Sequence, residues 1–312
     1  MKIRAHRRTA PLLVFAFLLG SCTSPGPVGT TAPDGETPSQ PPERAPTATS
    51  FQPPSPDAEP TFTPTAVPLA FTVNGEPVTL DEYNQALQRL HLGVPELSNE
   101  EAGVRVRDDF IDQILLARAA AENGFTLSES DFEDRLAGLV ADAGGEDAFS
   151  AWLEANLYTP EGFAKDFRRA IAAAWMRDRI FETVPGSAEQ VRARQIRVTT
   201  RVEADSVLQQ LQTGTSFDIM IAVYDPDGLG DLGWFPRGFL FQPEIEAAAF
   251  AISPGDFSGV IETAVGFHII EVTDYAEDRP LDPEARRALQ TAALEAWLEQ
   301  RRVEGEIVSF IE

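Results

Sequence analysis

Cysteine, histidine and positive charge are all scarce in this 312-residue chain, and each scarcity excludes a class of function. With a single cysteine, Cys22, no disulfide can form within the chain. Only three histidines, His6, His91 and His268, are present, and with one thiol they cannot build a cysteine/histidine metal cluster, so no metal is expected. Lys and Arg total 25 against 49 Asp and Glu, a formal charge of −24. That balance disfavours binding to nucleic acid or anionic lipid through charge. No glycine-rich phosphate loop is present, and no cofactor is expected. The apolar run Pro11 to Leu19 is too short to span a bilayer.

What is present begins with an address. Lys2, Arg4, Arg7 and Arg8 precede that short run, the pattern of a secretory signal over residues 1–21. Leu19-Gly20-Ser21-Cys22 resembles the bacterial lipoprotein signal, which implies a lipid on the Cys22 thiol and an extracytoplasmic, membrane-attached chain. Residues 22–69 are rich in Pro, Thr and Ser without apolar periodicity, and read as an extended tether. In polyproline geometry, about 3.1 Å per residue, it reaches roughly 145 Å.

Folded sequence is expected from residue 70. Short strands flank an Asn74-Gly75 turn, and Asp81 is expected to cap the helix that follows. Residues 103–122 place Phe110, Ile114, Leu115 and Ala119 at helical spacing, with Gly124 as the stop. Ser128 starts a further helix, and two more are expected over 146–157 and 159–183. Val184-Pro185-Gly186-Ser187 breaks the helical region. A strand follows over 193–199, then a helix over 203–213. After Asp282 and Pro283 a last helix is expected, with Leu289, Ala293, Trp297 and Val303 near one face.

Between Gly230 and Ile270 the sequence reads GDLGWFPRG, LFQPEIEAAAF, SPGDF and GFHII in that order. This order resembles the parvulin family of peptidyl-prolyl isomerases, in which a Gly-Asp-Leu-Gly turn precedes a proline-sized apolar pocket and a Gly-x-His-Ile-Ile strand closes the site. The helical part, with NGEPVT and ILLARAAAENGFTLSESDFE, resembles SurA-type chaperones and PrsA-type foldase lipoproteins. The fold class is therefore expected to be α+β. A helical SurA-like chaperone domain over 70–185, completed by a C-terminal helix over 282–310, would carry a parvulin-like domain over 188–276, a small antiparallel sheet wrapped by helices.

The resemblance assigns the site. His268 stands in the closing strand, and Leu232, Leu240, Phe241 and Ile245 fall where the family places the proline pocket. Gln195, in ARQIRV, occupies the position of a second family histidine. Asp225 is the best match to an acidic or thiol position in the shortened loop VYDPDGLG, with Asp227 next. Ile245 replaces the usual phenylalanine. The implied function is prolyl isomerisation and folding of unfolded secreted chains. The alternatives are a chaperone that keeps the fold without catalysis, favoured by Gln195, and an acidic solute-binding lipoprotein, which lacks the required alternating βαβ pattern.

Overall fold

The computed structural model describes residues 67–224 and 230–311. Strands β1 (Leu69–Val73) and β2 (Glu76–Thr79) form an antiparallel hairpin. Asn74 and Gly75 turn it with φ of 51° and 82°, the paired positive values that a two-residue turn matched to strand twist requires. Helix α1 (Leu80–Gly93) is capped two residues before the expected Asp81. Thr79 is the cap because it still has extended backbone at the end of β2. Its hydroxyl accepts from the Glu82 N–H while the Glu82 carboxylate accepts from the Thr79 N–H. Asp81 instead lies in the first turn and accepts from the Gln85 amide.

Helix α2 (Asn99–Glu122) likewise begins earlier than its apolar stripe, at a second reciprocal cap between Ser98 and Glu101. Helices α3 (Glu129–Asp142), α4 (Glu146–Ala155) and α5 (Pro160–Glu182) follow, and α5 packs along α2. Phe71 is wholly buried between the hairpin and α1/α2, with its ring edge-on to Tyr83 and Phe110 at 6.1 Å.

The chain then enters a four-stranded antiparallel sheet of order β4-β3-β6-β5. Its long central strands are β3 (Ser187–Val198) and β6 (Gly266–Pro280); β4 (Asp231–Pro236) and β5 (Ile261–Thr263) lie at the edges. Strand β3 starts well before the expected Ala193 because Gln190 is usable inside the fold. Its buried amide donates to the carbonyls of Arg279 and Pro280 at 2.8 and 3.2 Å, which holds the strand ends together. One sheet face packs on α6 (Arg201–Gln212) and α7 (Phe217–Tyr224) through Ile196, Val198, Ile269 and Met220. The other packs on α8 (Pro243–Ala249) through Val191, Phe235, Ile245 and Ile270.

Helix α9 (Pro283–Glu304) is capped by Asp282, whose carboxylate accepts from the N–H groups of Glu284 and Ala285. It returns to α2 and α5, where Ala293, Leu294, Trp297 and Leu298 meet Leu116, Ala173 and Ile180. Val303 does not join this face: it is 79% exposed, because at 3.6 residues per turn six residues carry it about 120° off the face of Trp297. Beyond α9 the short strand β7 (Ile307–Ser309) pairs with β1 and completes a sheet of order β2-β1-β7. Among the described residues no helix is long and apolar enough to cross a membrane.

Candidate active site

Alternation along β6 decides what its histidine does. Phe267 and Ile269 enter the α6/α7 core, so His268 and Ile270 point to the opposite face. His268 is 2% exposed, so both of its ring nitrogens need partners. Nδ1 lies 2.9 Å from Oε1 of Gln195, and Nε2 lies 2.9 Å from Oγ1 of Thr263. With the Gln195 carbonyl as acceptor, the ring proton is assigned to Nδ1, which leaves Nε2 to accept from the Thr263 hydroxyl, a donor it shares with the Gly266 carbonyl at 3.2 Å. Oγ1 of Thr263 also accepts from the Val265 N–H at 3.2 Å. The Nε2 group of Gln195 has no partner among the described residues, and Gln195 lines a cavity of about 260 Å³.

Backbone geometry holds this chain of hydrogen bonds in place. The Gln195 N–H donates to the Gly230 carbonyl at 2.7 Å, joining β3 to the Gly-Asp-Leu-Gly turn. Gly266 adopts a φ of 133°, and a Cβ there would lie 2.7 Å from the Val198 carbonyl oxygen, so only glycine lets β6 approach β3. Thr263 and Gly266 are paired across a two-residue turn, which sets Thr263 diagonally across from His268.

The cavity is lined by Gln195, His268, Arg197, Tyr224, Gly230, Gln242, Ile245 and Val265. Three residues expected at the site thus meet there: Gln195, His268 and Ile245. Leu232 and Leu240 do not line it but pack behind Ile245 in the α8 core. Phe241 stands outside it, 99% exposed. The reason is the preceding loop: the Glu246 carboxylate accepts from the N–H groups of Gly238, Phe239 and Leu240 at 2.7–3.1 Å, which turns Leu240 inward and Phe241 outward. Asp225, Asp227 and Cys22 lie outside the described residues. Thr263, Arg197 and Tyr224 escaped the sequence reading. The signal for Thr263 was the hairpin just before Gly266.

Burial, and then the charge of Arg197, hold the His268 pKa below its ordinary value of 6.5. The ring is therefore neutral at pH 7. Because the folded value is the lower one, the unfolded chain binds more protons below pH 6.5. The His268 contribution to stability is present above that value and is lost as pH falls through the folded pKa. The His268 ring is expected to titrate below 6.5 in proton NMR. Between pH 7 and 5 a His268→Gln variant should lose less stability than the wild type; an equal loss would contradict a buried neutral ring.

The site is a neutral hydrogen-bonded chain on a cavity that Ile245 also lines, and among the described residues no group of three His, Cys, Asp or Glu side chains is placed to hold a metal ion. Residues 186–287 match the family model described as the PPIC-type PPIase domain, so this segment is a parvulin-type rotamase domain. Over part of its length the chain is homologous to proteins described as foldase protein PrsA. It is 24% identical over 225 residues to that of Caldanaerobacter subterraneus, covering 64% of this chain and 71% of the relative. With the foldase protein PrsA of a Geobacillus species it is 30% identical over 128 residues, 39% of this chain and 45% of the relative, so that match spans less than half of the Geobacillus protein. Among solved structures, PrsA of Bacillus cereus aligns over 76% of this chain and 90% of its own length, at 18% identity and a TM-score of 0.44.

Proposed function

We propose that this protein is a peptidyl-prolyl cis–trans isomerase and foldase that acts on unfolded polypeptides outside the cytoplasm. The observation that carries the proposal is the Gln195–His268–Thr263 chain, whose Gln195 and His268 line the same cavity as the apolar side chain of Ile245. Rotation of a prolyl peptide bond faces about 18–20 kcal/mol because the planar amide is resonance-stabilised. Twisting it returns the lone pair to the nitrogen and removes negative charge from the oxygen. A catalyst of this step needs a dry seat for the ring and a donor directed at the twisted amide rather than the planar one. Ile245, backed by Leu232 and Leu240, supplies the seat. The Nε2–H₂ of Gln195 supplies the donor. His268 and Thr263 fix its orientation, so no reorganisation is needed during rotation. Asp225 is proposed as the acidic member of the same site.

The helical region 70–185, completed by 282–310, is proposed as the part that holds unfolded clients, and 188–276 as the isomerase domain. Residues 1–21 are proposed as a signal, Cys22 as the lipid-bearing residue and 22–69 as the tether. The PrsA relatives support the foldase part of this reading. The test is NMR exchange spectroscopy on a series of prolyl tetrapeptides with the chain lacking residues 1–22. Faster cis–trans exchange is expected with at least one peptide. A folded protein that accelerates none would leave the second reading, a chaperone without catalysis, which the replacement of a family histidine by Gln195 favours.

A further inference from the structure

Three arginines project from β3, and two are neutralised in place. Arg192 faces Asp231 at 3.9 Å, and Arg194 is paired with Asp218 and Glu271. Arg197 has no ion pair among the described residues, although the chain carries 49 acidic side chains. It also lines the cavity beside Gln195, His268 and Val265. Its aliphatic stem lies against the β5–β6 turn: a Cβ on Gly266 would sit 3.9 Å from Arg197 Cγ. Register places it directly across from His268 and on the same strand face as Gln195, two residues further along.

Two strand residues span about 7 Å, close to the reach of a glutamate side chain from its own carbonyl. With a proline ring against Ile245 and the X–Pro amide before Gln195, the side chain of X is the part of the peptide that falls beside Arg197. We infer that Arg197 is a specificity residue that selects X–Pro bonds in which X is Asp or Glu. This inference rests on the isomerase reading above. The guanidinium offers a planar pair of donors suited to a carboxylate. Net charge opposes the selection, but ionic strength screens it beyond a Debye length of about 8 Å at 0.15 M salt, whereas a contact pair is screened less. The local pair therefore sets the preference at physiological salt.

The experiment compares Ala-Glu-Pro-Phe with its isostere Ala-Gln-Pro-Phe in the chain lacking residues 1–22, at 0.15 M salt. The ratio of kcat/KM within one protein is the readout, so loss of overall activity cannot imitate the effect. The expected Glu/Gln ratio is about fivefold, the upper range for an exposed arginine–carboxylate pair. It should fall to near one in Arg197→Gln, persist in part in Arg197→Lys, and shrink at 0.5 M salt. Wild-type turnover with a ratio of one would overturn the inference while leaving the isomerase reading intact. If neither peptide nor any other of the tetrapeptide series is turned over, the isomerase reading fails; wherever these two are not turned over, ¹⁵N shifts of Val265 and His268 on peptide titration decide the selectivity. Tighter Glu-Pro binding that Arg197→Gln abolishes would support the selectivity, and equal binding of the two peptides would overturn it.

Discussion

A His268→Ala chain is expected to exchange prolyl bonds about a hundredfold more slowly than the wild type, the scale of losing one preorganised donor arrangement. The loss arises indirectly. Removing the ring leaves Oε1 of Gln195 and the Thr263 hydroxyl without their 2.9 Å partners, and the Gln195 amide becomes free to rotate away from the substrate. Gln195→Leu should cost a similar factor. The double variant should be little worse than either single one, because the residues act as a unit. By contrast, Gln195→His should keep turnover, since an imidazole at that position can still hydrogen-bond to His268. The measurement is exchange NMR on the best tetrapeptide, with near-UV circular dichroism to establish that each variant is folded. Full turnover in folded His268→Ala would remove the hydrogen-bonded chain from the mechanism.

Phe71→Ala is expected to cost about 4 kcal/mol, the range for emptying a fully buried aromatic site. The residue has 0% exposure and meets two rings edge-on. It also sits on the only strand among the described residues that joins the beginning of the helical body to β7. For a chain of this size that loss corresponds to a fall of roughly 10 °C in Tm. Limited proteolysis should then cut first near residues 305–311, as β7 loses its partner. A variant that melts within a degree or two of the wild type would show that the ring cluster around Phe71 does not hold this sheet together.

Different parts of the molecule were visible in the sequence for different physical reasons. Local chemistry reads well: Ser128, Asp282 and the Asn74-Gly75 turn act within three or four residues of themselves, and the structure has each in its expected role. Asp81 misled because Thr79 is also a capping type, and the end of β2, a tertiary matter, decided between them. Strand β7 is three exposed residues with no apolar alternation, and only its pairing with β1 makes it a strand. At the site, motif order brought Gln195 and His268 together across β3 and β6. The same order misplaced Phe241, because the loop is shaped by Glu246, whose carboxylate reaches backward to three N–H groups. Nothing in the sequence singled out Arg197. Its interest lies in having no ion pair among the described residues, which no spacing reveals.

The pairing of β7 with β1 also sets an order of events during synthesis. Asn74 accepts through its side chain from the N–H of Glu306, a bond between residues 232 apart in the chain, and its own N–H donates to the Glu306 carbonyl. At about 5–20 residues per second, the hairpin of β1 and β2 waits on the order of ten seconds or more after emerging before its third strand exists. Within that interval the whole rotamase segment has been made, and its strands β3 and β6 can pair without reference to the C-terminus. The helical body is thus the last part to close, and a newly made chain can hold paired β3 and β6 strands while the β1 edge is still open.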